Sequence, residues 1–290
     1  LWMHPLGRSH AADPRVGSMS SRRVLKFGGA ALADGTGVRR VCEIVAAERG
    51  NAPIVVVSAH QGVTDQLAAA AAAAARGVVD TDAIRVRHRS ILAQLGLDAE
   101  LSDRHLAELW AALERVRARG SLEASELDFA LSFGERMSAR IVGRALRELG
   151  LVATPVDAYD LGLVTDSNFG GARPLEGSLA AVAVALREVP GIAVVTGFLA
   201  KDRAGNLTTL GRNGSDLTAA ILAEAIAASE LVFWKSVPGI LSADPALVPA
   251  ARALAQVSYG EAAELAFHGA RVLHSAAVAP ALRARIPVRV

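Results

Sequence analysis

The sequence has 290 residues, 52% hydrophobic and 21% charged, and 31 Lys plus Arg against 29 Asp plus Glu give a net charge of +2. Such a chain can bury a sizeable core, which excludes bulk disorder, and it lacks the clustered basic surplus of a general nucleic-acid binder. A single cysteine, Cys42, excludes an internal disulfide and a multi-thiolate zinc site, and no apolar run reaches the roughly 18 residues of a membrane helix. We therefore expect a soluble, cytoplasmic protein that partners neither nucleic acid nor membrane.

Residues 1–20 read as a tail outside the fold, disordered or added ahead of a natural start at Met19. The first strand is Val24 to Phe27, and Gly28-Gly29 follows Lys26-Phe27 directly. Glycines at a strand end let backbone amides approach an anion, with a mobile ammonium one step earlier. A helix over Val38 to Arg49 carries Cys42 as a small buried residue, and a second strand runs from Ile54 to Ser58. The loop Ser58-Ala59-His60-Gln61-Gly62-Val63-Thr64 opens a helix, Thr64 to Arg76, that contains eight consecutive alanines. From about Asp80 to Ser125 the pattern is helical and charged with no strand, an excursion from the sheet.

Leu127 to Leu149 is the clearest helix: Leu127, Leu131, Met137, Ile141, Ala145 and Leu149 fall on one stripe, and Gly150 ends it. Glu135 lies about 200° from Met137, toward solvent or a site, and Gly134 suggests a close approach to the backbone. Strands at Leu151 to Val156, Ile192 to Thr196 and Leu231 to Trp234 follow. Between the last two, Thr208 to Asp216 packs hydroxyls, glycines, Arg212 and Asp216 ahead of a helix reaching Ala228, with Ser215 or Asp216 as N-cap. Arg212 could grip a carboxylate with two bonds.

Strands apolar on both faces, alternating with helices, define an α/β fold with a mostly parallel sheet covered on both sides. We expect one continuous domain with two lobes, and ligand loops at the carboxyl edge of the sheet. No P-loop, no G-x-G-x-x-G after the first strand and no G-x-S-x-G elbow is present, and His268 and His274 are wrongly spaced for a helical metal pair.

In order along the chain, Lys26 to Gly29, Val55 to Ala59 with Gly62 to Asp65, Ser132 to Arg136, Gly197-Phe198, Thr208 to Asp216, Val237 to Ile240, Asp244-Pro245 and Gly269 to His274 resemble the motifs of the aspartate kinase catalytic domain, in the amino acid kinase family. The resemblance implies a three-layer αβα sandwich with an amino-acid lobe at about 21–190 and a nucleotide lobe at about 191–290. It implies transfer of the γ-phosphoryl group of ATP, or of another nucleoside triphosphate, to the side-chain carboxylate of L-aspartate or a close analogue. Magnesium is expected on the nucleotide phosphates, with no protein metal site, and the chain is expected to form a homodimer.

Residue by residue, the resemblance makes Lys26 and Asp216 catalytic. It gives Ser58, Thr64, Glu135, Phe198, Arg212 and Ser215 to the amino-acid substrate, with Glu135 on its amino group and Arg212 on a carboxylate. Gly28, Gly29, Gly211, Gly214, Trp234, Lys235, Ser236, Gly239 and Arg271 fall to the nucleotide.

Departures from the family pattern concentrate in the nucleotide half. Lys235-Ser236 replaces Thr-Asp, Ala246 an Arg and Arg271 a Lys, while Ala30-Ala31, His60-Gln61, Asn213 and Ser275 replace Thr-Ser, Met-Gly, Gly and Pro. These changes keep open a relative with another nucleotide or amino acid, nucleotidyl transfer, or a non-catalytic aspartate-binding subunit. The chain ends where family members continue into ACT regulatory domains, so feedback by lysine or threonine is not expected within it.

Overall fold

The computed structural model describes residues 2–3, 22–51, 53–235, 239, 241–243, 248, 250–261, 264 and 275–290. Six strands form the centre of one sheet: β2 (Arg23–Phe27), β3 (Ile54–Val57), β4 (Ala153–Val156), β6 (Ile192–Thr196), β9 (Glu230–Trp234) and β11 (Val288–Arg289). Their order is β11-β9-β2-β3-β6-β4, and every neighbouring pair is parallel. Trp2–Met3, β1, pairs antiparallel to β11 and parallel to β10 (Gln256–Val257), so these two residues of the expected tail are strand. The remainder of that tail lies outside the described residues.

The β-branched runs make strands because both their faces are buried. Val24, Val56, Val195 and Phe233 pack with helices α6 (Ser178–Glu188), α7 (Gly214–Ile226) and α8 (Ser275–Arg283) on one side of the sheet. Leu25, Phe27, Val55, Val57, Val194 and Val232 pack on the other with α1 (Gly35–Ala47) and α5 (Ala124–Glu148). This period-two division of single strands between two cores is what a sheet inside two helical layers requires.

The segment expected as a helical excursion contributes α3 (Asp82–Leu95) and α4 (Asp103–Arg119). With α2 (Val63–Ala75) and one face of α5 it forms a third core around Leu67, Leu109, Phe133 and Met137. A small second sheet, absent from the sequence reading, joins β5 (Val164–Thr165), β7 (Leu199–Asp202) and β8 (Leu207–Thr209). The lobe boundary expected near residue 190 falls between α6 and β6, and β6 inserts between β3 and β4, so one sheet runs across it. Among the described residues no helix is long and apolar enough to cross a membrane.

Candidate active site

Because β2, β3, β6 and β9 are adjacent and parallel, their carboxyl ends open on the same edge. The chain leaves β2 for β3 on one side and enters β9 from α7 on the other, so a crevice forms beside β2. The loops after these strands, the start of α7 and one face of α5 enclose a cavity of about 870 Å³.

Alternation along β2 turns Lys26 to the side of Val24, toward α7. Its Nζ lies 2.7 Å from Asp216 Oδ1, and Lys235, just past β9, donates to Asp216 Oδ2 at 2.7 Å. All three side chains are largely buried, Asp216 almost completely. Burial by itself would raise the Asp216 pKa, but the two ammonium groups hold the carboxyl below its usual range.

The helix α7 starts earlier than the sequence suggests. Asn213, with φ of +60°, is the N-cap instead of Ser215 or Asp216. The reason is tertiary: the Asp216 carboxylate is drawn to the lysines and leaves the helix start to a residue that tolerates the left-handed region.

Glu135 answers the question that its helical angle left open. It is buried on the cavity wall, 3% exposed, and its Oε2 has no hydrogen-bond partner among the described residues. Burial pushes its pKa up to about 8, against the pull of the Ala59 backbone amide and the Lys26 charge. The neighbouring glycine is explained as well, since a Cβ on Gly134 would stand 2.7 Å from Ala59 Cβ. Arg212 lines the same cavity on the loop before α7 and, among the described residues, forms no ion pair.

Close backbone approaches fix the rest of the rim. A Cβ on Gly29 would lie 3.0 Å from the Ala59 carbonyl oxygen, and one on Gly214 would lie 2.7 Å from Phe198 Cδ2. Phe198 adopts φ of +69° and its amide donates to Thr218 Oγ1 at 3.0 Å, which fixes the strained turn after β6. Ser58, Thr64, Ser215, Gly28 and Gly211 also line the cavity, as does Trp234, whose ring stacks 6.0 Å from Phe27.

Gly239 is buried and is not part of the cavity wall, while Ser236, Arg271, His268, His274 and Ala246 lie outside the described residues. Cys42 is buried on α1 with its thiol pushed up to about 12, an inert side chain. Sequence reasoning missed Asp128, a buried carboxylate on the cavity wall. The available signal was its place seven residues before Glu135, on the same face of one helix.

In this α/β fold a buried lysine–aspartate–lysine group beside paired glycines shares one cavity with a carboxyl that has one unpartnered oxygen and with a guanidinium that forms no ion pair among the described residues. The chain belongs to the amino acid kinase family, which it matches over residues 21–290. It is 38% identical over 281 residues to lysine-sensitive aspartokinase 3 of Escherichia coli, covering 93% of this chain and 61% of that protein. It is 34% identical over 279 residues to chloroplastic aspartokinase 1 of Arabidopsis thaliana, covering 92% of this chain and 49% of that protein. The solved E. coli aspartokinase III in complex with aspartate and ADP superposes with a TM-score of 0.80 at 35% identity, over 92% of this chain and 60% of that one. The chain thus spans about half to three-fifths of the length of these relatives.

Proposed function

We propose that the chain transfers the γ-phosphoryl group of a nucleoside triphosphate to the side-chain carboxylate of L-aspartate, giving 4-phospho-L-aspartate and a nucleoside diphosphate. The observation that carries this reading is the single cavity with two unlike ends. One end holds Glu135, with an unpartnered carboxyl oxygen, and Arg212, which forms no ion pair among the described residues; the other holds Lys26, Asp216 and Lys235 beside Gly28 and Gly29. The E. coli relative solved with aspartate and ADP supports the same pair of ligand classes.

In this reading Glu135 takes the substrate ammonium and Arg212 its α-carboxylate, with Ser58, Thr64, Phe198 and Ser215 shaping the pocket, so that the side-chain carboxylate points to Lys26. A carboxylate oxygen bonds to the γ-phosphorus while the bond from that phosphorus to the β,γ-bridging oxygen breaks. The electron pair leaves on the diphosphate and no proton is transferred. Positioning and charge neutralisation then supply most of the rate. Lys26 neutralises the transferring group, Asp216 holds both lysines in place, and the glycine amides donate to the phosphate oxygens.

Both Asp216 oxygens face ammonium groups. In this reading magnesium enters on the nucleotide phosphates, where it would neutralise charge. ATP is the first candidate nucleotide, with Trp234 as an apolar wall and Lys235 as an added cation where relatives carry Thr.

The deciding experiment incubates the chain with L-aspartate, magnesium and each of ATP, GTP, CTP and UTP, and traps acyl phosphate with hydroxylamine. Hydroxamate formation with one or more nucleotides is expected. Aspartate binding without any turnover would favour a binding subunit, and a nucleotidyl adduct would overturn phosphoryl transfer.

A further inference from the structure

We infer that Asp128 is a positioning residue that sets the distance between the two groups proposed to clamp the amino acid; this inference rests on the functional reading above. Asp128 is on α5, 1% exposed, and it lines the cavity. Its Oδ2 accepts from the amides of Gly170 and Thr209 at 2.9 and 2.8 Å, and its Oδ1 accepts from the Thr209 hydroxyl at 2.8 Å. One carboxylate therefore ties together three segments far apart in sequence.

Those segments carry the clamp. Asp128 precedes Glu135 by two helical turns on the same rigid element, and Thr209 precedes Arg212 by three residues at the end of β8. The crossing segment closes the arrangement: Ala172 donates to the Thr209 carbonyl at 2.9 Å, and a Cβ on Gly211 would stand 3.1 Å from the Gly170 carbonyl oxygen. Leu210 in turn donates to the Phe198 carbonyl at 2.9 Å, so the same register reaches the turn that carries Phe198.

A carboxylate buried among apolar neighbours such as Leu127 and Leu131 is costly unless its oxygens are satisfied. Here the satisfying donors all belong to the segments that lead into the cavity rim. Without Asp128 the packing of α5 on β8 remains, but the three hydrogen bonds that set Thr209 and Gly170 against α5, and through Thr209 the loop of Arg212 against Glu135, are lost. Loss of that alignment weakens amino-acid binding and leaves the lysine–aspartate group, on β2, β9 and α7, in place.

The test measures KM for L-aspartate and for the nucleotide, kcat, and the calorimetric Kd for L-aspartate in three variants. Asp128→Ala is expected to raise KM and Kd for aspartate about tenfold or more, with nucleotide KM and kcat within about threefold. Asp128→Asn should recover most of the affinity, because its oxygen can accept both amides and its NH2 can donate to the Thr209 hydroxyl. Thr209→Val, which keeps the amide and removes one bond, should raise aspartate KM about threefold, and it reads the contact even if Asp128→Ala does not fold.

An unchanged aspartate constant in a folded Asp128→Ala or Thr209→Val protein, equal rises in both KM values, or no recovery in Asp128→Asn would overturn the inference. Absence of turnover by the unmodified chain counts against the functional reading instead, and Asp128 is then judged on the calorimetric constant alone.

Discussion

The two ends of the cavity treat charge in opposite ways. At the lysine end every named charge has an ion-pair partner: Asp216 is shared between Lys26 and Lys235, which leaves one positive charge in excess, and its carboxyl is held anionic. At the other end Glu135 has an oxygen without a partner and a pKa near 8, and Arg212 forms no described ion pair. Compensated charge is scaffold that keeps its geometry before and after a reaction. Arg212 is exposed and free to turn toward a ligand, whereas the buried Glu135 carboxyl stores a desolvation cost, visible in its raised pKa, that an ammonium ligand relieves, so Glu135 marks where recognition is decided.

The largest expected effect tests the compensated end. Lys26→Ala or Asp216→Ala should lower kcat by about 10²- to 10³-fold, the size seen when one electrostatic stabiliser is removed, with aspartate Kd within a few fold, as hydroxamate assays and calorimetry would record. A comparable loss of aspartate affinity in these variants would break the division between the ends. Next, Arg212→Ala should raise aspartate KM by about 10- to 100-fold through loss of a charge-assisted bond, with nucleotide KM little changed.

Glu135 predicts a pH signature. Its folded pKa of about 8 exceeds its ordinary 4.5, so between these values the folded state binds more protons than the unfolded one. The contribution of Glu135 to stability must then fall as pH rises through that window, and Glu135→Gln should flatten that part of a denaturation profile. Because an ammonium ligand favours the carboxylate, aspartate binding near pH 7 should also release a fraction of a proton. Calorimetry in buffers of different ionisation enthalpy measures that release, and its persistence in Glu135→Gln would assign the proton elsewhere.

The smallest effect concerns Lys235. Lys235→Thr should raise nucleotide KM several fold and leave aspartate KM unchanged, because Lys26 still holds Asp216. A loss as large as that of Lys26→Ala would make Lys235 a full catalytic partner, and the lysine end would then depend on both of its cations.

Much of this was legible without coordinates. Five runs became β2, β3, β4, β6 and β9 to within two residues at each end; β2, β3, β6 and β9 are apolar because both their faces are buried, whereas β4, the edge strand Ala-Thr-Pro-Val, is only partly buried. The small sheet of β5, β7 and β8 escaped notice because its strands are short and of mixed polarity, and β5 joins the β7–β8 hairpin from more than thirty residues away. The helical spacing from Glu135 offered Asp128 as a candidate, but its role was not legible, because its partners, Gly170 and Thr209, are 42 and 81 residues away.

By itself the sequence determined the α/β class and the strand-end loops, and the order of its motifs carried the resemblance to aspartate kinases. Those properties are local, set by periodicity, glycine placement and spacing. Only the tertiary structure decided whether Glu135 faced water or a site, which residue capped α7, and that Lys235 shares Asp216 with Lys26. Each of these depends on the electrostatics of burial, which is a property of what surrounds a side chain and not of its neighbours along the chain.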